Sequence, residues 1–334
     1  MGVRIRVHHT GVMLVGNRCF NEQYLLQPNE PEVSALILGI LARAVEKHGI
    51  KIIGFVFMGN HFHLLLIAPW GNLHAFMQDF EAWLARKMHA YRGTSGPFFA
   101  DRYTSIPLLD DAAAFEKLIY TLANPAAAGL VERLEDYPGL SSLDHHFNHE
   151  PIVGRWVDLG RYNKNRKRNP RYDEEKCATY HKFVLEPLPQ MVGWTEERRA
   201  ETIRTKLDHR CTMLDKERGG KPYLGPAGVR AITFTSRPEE PKNSPCPTCM
   251  GADKEQVDLF NETLRTVSVA YRKANRRARN PNLKEPVRYP PGTIPPNWRR
   301  CIPYEARDPV GRPAQLDRLA EDAHRPAPPT KQAA

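Results

Sequence analysis

The chain reads as an α+β fold, and three observations predict it. Short apolar or β-branched runs alternate with longer segments of helical periodicity, in the order β-α-β-β-α-β-α, up to about residue 148. Gly59-Asn60 separates two of the apolar runs at hairpin spacing. The helical segments end at glycine or proline, which bounds them to the lengths a small antiparallel sheet can carry.

Taken in order, residues 3–15 alternate and then turn continuously apolar, which predicts a strand. Residues 31–48 place Val33, Leu36, Ile37, Ile40, Leu41, Ala44 and Val45 at helical spacing and stop before Gly49, a C-terminal cap. Residues 52–58 and 62–68 are the two strands of the hairpin. Residues 72–91 form a second helix with Leu73, Phe76, Met77, Phe80, Trp83, Leu84 and Met88 on one face. A loop over 92–97 and a strand over 102–109 come next. Asp110-Asp111 supplies an acidic start for a third helix over 112–123, stopped at Asn124-Pro125. The expectation is a sheet of these strands with the helices on one face.

With 41% hydrophobic residues the chain can bury a core, and no run of eighteen apolar residues predicts a membrane span. The start, Met1 to Val7, alternates and lacks the apolar stretch of a secretory signal. Six cysteines scattered at 19, 177, 211, 246, 249 and 301 form no disulfide framework, which points to a reducing cytoplasm.

Charge divides the chain in two. Residues 1–150 carry 12 Lys and Arg against 15 Asp and Glu, a balance of −3, whereas 151–334 carry 36 against 23, a balance of +13. This predicts a domain over 1–148 and a basic extension over 149–334, helical in 195–217 and 254–279 and largely irregular from about 281. A basic half suits a polyanion, because each cation near a phosphate releases condensed counterions; a solvated tail is the other reading. The candidate phosphate contacts are Lys164, Arg166, Lys167 and Arg168 in one basic run, and Arg272, Lys273, Arg276 and Arg277 near the end of the last helix. Cys246-Pro247-Thr248-Cys249 invites zinc, but His209, Cys211 and Cys301 stand at no standard spacing to complete a site.

The chemistry-bearing residues lie in the first region. His61 and His63 flank Phe62 where the hairpin enters its second strand, so period-two geometry puts both imidazoles on one face. Such a pair can ligate one divalent metal, or be a hydrogen-bonded structural pair. On the third helix the apolar stripe is Phe115, Leu118, Ile119 and Leu122, and Tyr120 falls roughly 150° from its centre. Glu116, Tyr120 and Asn124 therefore share the side away from the helix core. A surface tyrosine and a helix cap would explain Tyr120 and Asn124 singly. Both on one face, with a histidine pair in the same domain, favours a site.

At these residues the sequence resembles a family. Met58-Gly59-Asn60-His61-Phe62-His63-Leu64-Leu65, Phe99-Ala100-Asp101-Arg102-Tyr103-Thr104-Ser105, Tyr120-Thr121-Leu122-Ala123-Asn124-Pro125, Ala128-Gly129-Leu130-Val131 and Asp136-Tyr137-Pro138 occur in the order and spacing of the REP-associated tyrosine transposases, single-tyrosine members of the HUH endonuclease group. The resemblance covers about residues 1–147. It departs at Gly96-Pro97-Phe98-Phe99, where the family has a Gly-His run, and at Leu140-Ser141-Ser142, which lacks a preceding tryptophan. It implies a ferredoxin-like sheet with His61 and His63 on a central strand and the tyrosine helix packed across it. It also implies His61 and His63 as metal ligands, Asn124 as the polar residue completing the shell and Tyr120 as nucleophile; Arg102 matches a family arginine with no assigned role and joins the candidate DNA contacts.

These residues lead to the expectation of a bacterial DNA-nicking and rejoining enzyme, a transposase acting in the cytoplasm at the nucleoid. Its ion would be Mg²⁺ or Mn²⁺, with zinc the runner-up given the histidines. Its partner would be single-stranded DNA beside a hairpin. Rejoining by phosphodiester exchange needs no nucleotide cofactor, and no Gly-x-x-x-x-Gly-Lys-Ser/Thr loop is present. Monomer and homodimer both fit. Two other classes use the same residues: a domesticated DNA-binding regulator without turnover, and a metal phosphodiesterase that uses water.

Overall fold

The computed structural model describes residue 7 and residues 9–302, apart from 29, 239–245, 281, 284 and 296–300. Strands β1 (Val12–Arg18), β2 (Lys51–Phe57), β3 (His61–Ile67) and β4 (Thr104–Pro107) form one antiparallel sheet in the order β2-β3-β1-β4. Helix α1 (Pro31–His48) joins β1 to β2, and α2 (Leu73–Arg92) joins β3 to β4. This is the ferredoxin-like β-α-β-β-α-β arrangement, an α+β fold.

Local chemistry sets the element ends. Pro31 opens α1 with its fixed φ, and Gly49 closes it in the left-handed region at φ 62. Met13, Val15, Phe62, Leu64 and Leu66 point to one side of the sheet, where α1 and α2 cover them with Ile37, Ile40, Leu41, Phe76 and Phe80. Leu14, Ile53 and Leu65 point to the other side, under α3 (Asp111–Leu122). Helices thus cover both faces instead of the expected one, because β1, β2 and β3 are apolar on both sides. Asp110 caps α3, its carboxylate accepting from the Ala113 amide at 2.7 Å, a contact worth about 1 kcal/mol. Gly54 lets α3 approach: a Cβ there would stand 2.8 Å from Leu118.

The first strand lies later than predicted. The described part begins at Val12, Val7 makes only an isolated bridge to Thr293, and residues 1–6 and 8 of the expected strand lie outside the described residues. The fourth strand is shorter than expected, Thr104–Pro107. Helix α3 ends at Leu122, just before Asn124-Pro125 as expected, and the chain turns at once into the short α4 (Asn124–Ala127), where proline sits in the first turn and needs no amide. Segment 137–142 then seals the β2 edge. Phe57 and Leu140, and Ser142 and Phe55, pair through their backbones, and the Tyr137 hydroxyl donates to the Phe57 carbonyl at 2.8 Å.

Residues beyond α5 (His145–Asn148) enter the same cores. A hairpin of β5 (Ile152–Val157) and β6 (Ala178–Phe183), unforeseen in the sequence, lies on the outer side of α1. Gly39 and Gly154 make that approach possible, since a Cβ on Gly39 would meet the Arg155 carbonyl oxygen. Trp156 meets Trp83 edge-on at 4.7 Å, and the Lys87 ammonium donates to the Val157 carbonyl. The basic run at 161–171, expected to be broken, holds the short helix α6 (Leu159–Arg166). Helix α7 (Glu196–Arg218) covers α3 with Ile203, Leu207 and Leu214. The short α8 (Gly225–Ala231) closes the edge near Val56 with Val229. Helix α9 (Lys254–Ala278) has its own small core, in which Tyr271 meets Tyr289 at 5.0 Å beside β7 (Val287–Arg288). Packed structure therefore reaches past residue 281: Val287, Tyr289 and Thr293 are all buried. Among the described residues no helix is long and apolar enough to cross a membrane.

Candidate active site

The α3 side of β3 is apolar at Leu65 and becomes polar toward the start of the strand, where His63 and His61 follow at alternate positions. Their rings lie 5.1 Å apart between centroids. Tyr120, in the last turn of α3, sets its ring edge-on to His63 at 5.4 Å while remaining 40% exposed. Asn124, four residues on, is buried and shares a hydrogen bond with His61. Local periodicity pairs His61 with His63 and Tyr120 with Asn124, each pair on one face of its own element, and the fold brings the two pairs together.

Asn60 orients the first histidine. Its amide nitrogen donates to the Glu22 carbonyl at 3.3 Å, which turns its oxygen toward His61 Nδ1 at 2.7 Å. An amide oxygen only accepts, so Nδ1 carries the proton and Nε2 keeps its lone pair. Both rings are held neutral. Burial pulls the pKa of His61 down to about 4, with the Arg18 charge adding and the Asn124 bond opposing. Burial pushes His63 well below its ordinary value too, helped by the charges of His61, Arg18 and Lys117. Neutral imidazoles are what a metal needs.

Three contributors escaped the sequence reading. Arg18 stands directly across from His61 on β1, with a guanidinium nitrogen 3.5 Å from Glu22. Gly16 stands across from His63, where a Cβ would lie 2.6 Å from the Phe62 carbonyl oxygen and 3.1 Å from His63 Nδ1. Both depend on cross-strand register, which no local pattern reveals. Lys117 was within reach: it precedes Tyr120 by three residues, and its ammonium lies 4.7 Å from the centre of the Tyr120 ring. Burial lowers its pKa, with Glu116 opposing. Glu116 itself, the residue spacing first suggested, is exposed.

The expected DNA-contacting residues fall into two groups. Arg102 is exposed just before β4 and lines a cavity together with Arg272 of α9, whose neighbours Lys273, Arg276 and Arg277 are exposed. Lys164, Arg166, Lys167 and Arg168 are exposed on α6 and the turn after it. They follow β5, which packs on the α1–α2 layer, and so belong to the side of the sheet opposite Tyr120. Cys246 is exposed and Cys249 buried. Among the described residues no group of three His, Cys, Asp or Glu side chains is placed to hold a metal. The groups at this site able to offer a lone pair to a cation are the two imidazoles and the Asn124 amide oxygen.

No family model and no curated protein matches the chain. Among solved structures, a REP-associated tyrosine transposase bound to a REP hairpin aligns at 13% identity over 44% of this chain and 84% of that one, with a TM-score of 0.38. A transposase candidate from Deinococcus radiodurans aligns at 18% identity over 32% of this chain and 85% of that one, with a TM-score of 0.25. At scores this low neither likeness bears on chemistry.

Proposed function

We propose that the protein is a metal-dependent, single-tyrosine enzyme that nicks and rejoins single-stranded DNA at hairpin-flanked sites, as a transposase does. The observation that carries this reading is the convergence of an exposed tyrosine on two neutral imidazoles and a buried amide. The donor set suits a divalent cation with room for substrate oxygens: His61 Nε2 keeps its lone pair, His63 is neutral, and Asn124 offers a hard oxygen. His61, His63 and Asn124 would hold Mg²⁺ or Mn²⁺. When bound, the ion supplies Lewis-acid polarisation of the scissile phosphate.

The chain's own residues do the rest. A free tyrosine ionises only near pH 10, so Tyr120 needs help to act as a nucleophile. Lys117, over its ring, and Arg18, beside His61, provide positive charge for the phenolate and for charge developing on phosphate oxygens. The Tyr120 oxygen forms a bond to phosphorus as the bond to the 3′-oxygen breaks. The phenolic proton passes to solvent, which reaches the exposed ring, and the 3′-oxygen leaves as a hydroxyl after taking one up. The product is a 5′-phosphotyrosine, and attack by a 3′-hydroxyl reverses the step. One phosphodiester is exchanged for another, so no nucleotide cofactor is required.

The test is a labelled single-stranded oligonucleotide carrying a hairpin, incubated with Mg²⁺ or Mn²⁺. The expected product is a covalent protein–DNA adduct on a denaturing gel. Cleavage by Tyr120→Phe at the parent rate would sink the nucleophile assignment, and indifference to EDTA would sink the metal assignment. Cleavage without an adduct would favour water as nucleophile.

A further inference from the structure

The end of β1 is held from the back of the sheet by one amide. Asn17 falls between Gly16 and Arg18, so its side chain points to the α1–α2 side while their positions face the histidines. It is buried, and both hydrogens of its amide are used. The nitrogen donates to Glu81 Oε1 of α2 at 2.8 Å and to the Asp101 carbonyl at 3.0 Å. The oxygen accepts from the Arg18 amide at 2.8 Å. Two acceptors on the nitrogen and a donor on the oxygen admit one orientation of the group.

The clamp continues to the front. The Arg18 carbonyl accepts from the Ala100 amide at 3.0 Å, and the Cys19 amide donates to the Asn60 carbonyl at 2.8 Å. Asn60 in turn sets the His61 ring through its own side chain. Little slack is left, because a Cβ on Gly16, the other neighbour of Asn17, would lie 2.6 Å from the Phe62 carbonyl oxygen. Glu81 is the odd member. It is half-buried and takes part in none of the ion pairs among the described residues. Burial raises its pKa to about 7, with the Asn17 bond opposing. A carboxyl without a cation costs more in this setting than an apolar side chain such as Phe80 or Leu84 on the same helix. What it supplies is an acceptor for Asn17.

We propose that Asn17 and Glu81 are positioning residues: from behind the sheet they fix the end of β1, and with it Arg18 and the Asn60–His61 pair, relative to Tyr120. The kinetic consequence rests on the proposed nicking reading, whereas the structural consequence at His61 stands without it. Asp101 precedes Arg102, so the same clamp anchors the loop that carries that arginine.

The experiment uses the full chain and three variants: the double Asn17→Leu/Glu81→Leu, and Glu81→Leu and Glu81→Gln singly. Removing both polar partners together leaves no donor facing a lost acceptor, so the double variant should melt within about 4 °C of the parent. Adduct formation is followed in single turnover at saturating hairpin oligonucleotide with Mn²⁺, well below each melting midpoint, and binding by fluorescence anisotropy. Long-range proton–nitrogen NMR of histidine-labelled, metal-free protein reads the His61 tautomer, with His61→Gln identifying its signal. In the double variant the rate should fall about tenfold to a hundredfold while Kd stays within about twofold. Its His61 signal should move from the Nδ1-protonated pattern toward a mixture of tautomers. Glu81→Gln keeps an acceptor for Asn17 and should stay within about threefold of the parent rate. A parental tautomer in the double variant overturns the proposal. So does a loss in Glu81→Gln equal to that of the double, which would assign the effect to charge. If the double variant melts too low to be read, Glu81→Leu set against Glu81→Gln decides on the same two readouts. If the parent forms no adduct but the tautomer still shifts, the positioning stands and the nicking reading falls.

Discussion

Phe62 and His63 are adjacent in sequence, yet they serve opposite sides of one sheet. On the Phe62 side the packing is dry and aromatic: its ring meets Phe57 and Phe80, each at 5.5 Å, under α1 and α2. On the His63 side the cover is a single helix that ends at Leu122, just as the strand turns from leucine to histidine. Polar groups gather where the cover runs out. Tyr120 reaches solvent from the final turn of α3, while Asn124, in the first turn of α4, remains buried against His61. The contrast teaches that one strand can brace a site from behind and present it in front, with a one-residue offset deciding which.

The sharpest break in that contrast is on the chemical side. Tyr120→Phe should abolish adduct formation, a loss of about 10³-fold or more, while thermal melting stays near the parent value. A melting shift as large as the activity loss would mean Tyr120 is structural. On the dry side, Phe62→Ala should cost about 3–5 kcal/mol in urea unfolding, because the void would open between Phe57, Phe80 and Phe99. A cost under about 1 kcal/mol would show that this face is not the brace described.

Gly16→Ala probes the seam between the two sides. Its methyl would press on the Phe62 carbonyl and on the His63 ring, so adduct formation should fall roughly tenfold to a hundredfold with a stability cost of about 1–3 kcal/mol. Unchanged kinetics would mean His63 has slack to move. The smallest effect concerns pH. His61 is held at about 4 and His63 well below its ordinary value, whereas both titrate near 6.5 when unfolded. Between those limits the unfolded chain takes up protons that the native chain refuses. Their contribution to stability is therefore fully present above pH 6.5 and is lost as pH falls toward 4. The melting temperature should drop by roughly 3 °C from pH 7 to pH 5, and His63→Gln should flatten that slope. A slope identical in the variant would assign the effect to other groups.

Much of the candidate site is legible in local pattern. The first helix is bounded by Pro31 and Gly49, and the two histidines must share a face once 62–68 is read as a strand. Tyr120 and Asn124 are paired by helical spacing alone. The hidden remainder depends on register or on distant packing. Arg18 and Gly16 join the site because β1 happens to pair Arg18 with His61 and Gly16 with His63. The β5–β6 hairpin escapes local pattern because Val153 and Gly154 blur the alternation of β5, and β6 buries little besides Phe183, in a region whose charge reads as a basic extension. For the same reason charge alone assigns the basic run after it to DNA, although its layer lies behind α1 and α2.

The glycine contact between α1 and β5 has a practical side. Ile152, Trp156 and Phe183 close the back of the same core that Phe62 and Leu64 fill from the sheet. A chain shortened to the residues that resemble the family would keep His61, His63, Tyr120 and Asn124. It would also bare the α1 surface around Gly39, a strip shaped to receive another backbone at close range. Such a fragment would keep the candidate site and expose an adhesive flank beside it, because residues beyond 148 close the core that the sheet and α1 begin.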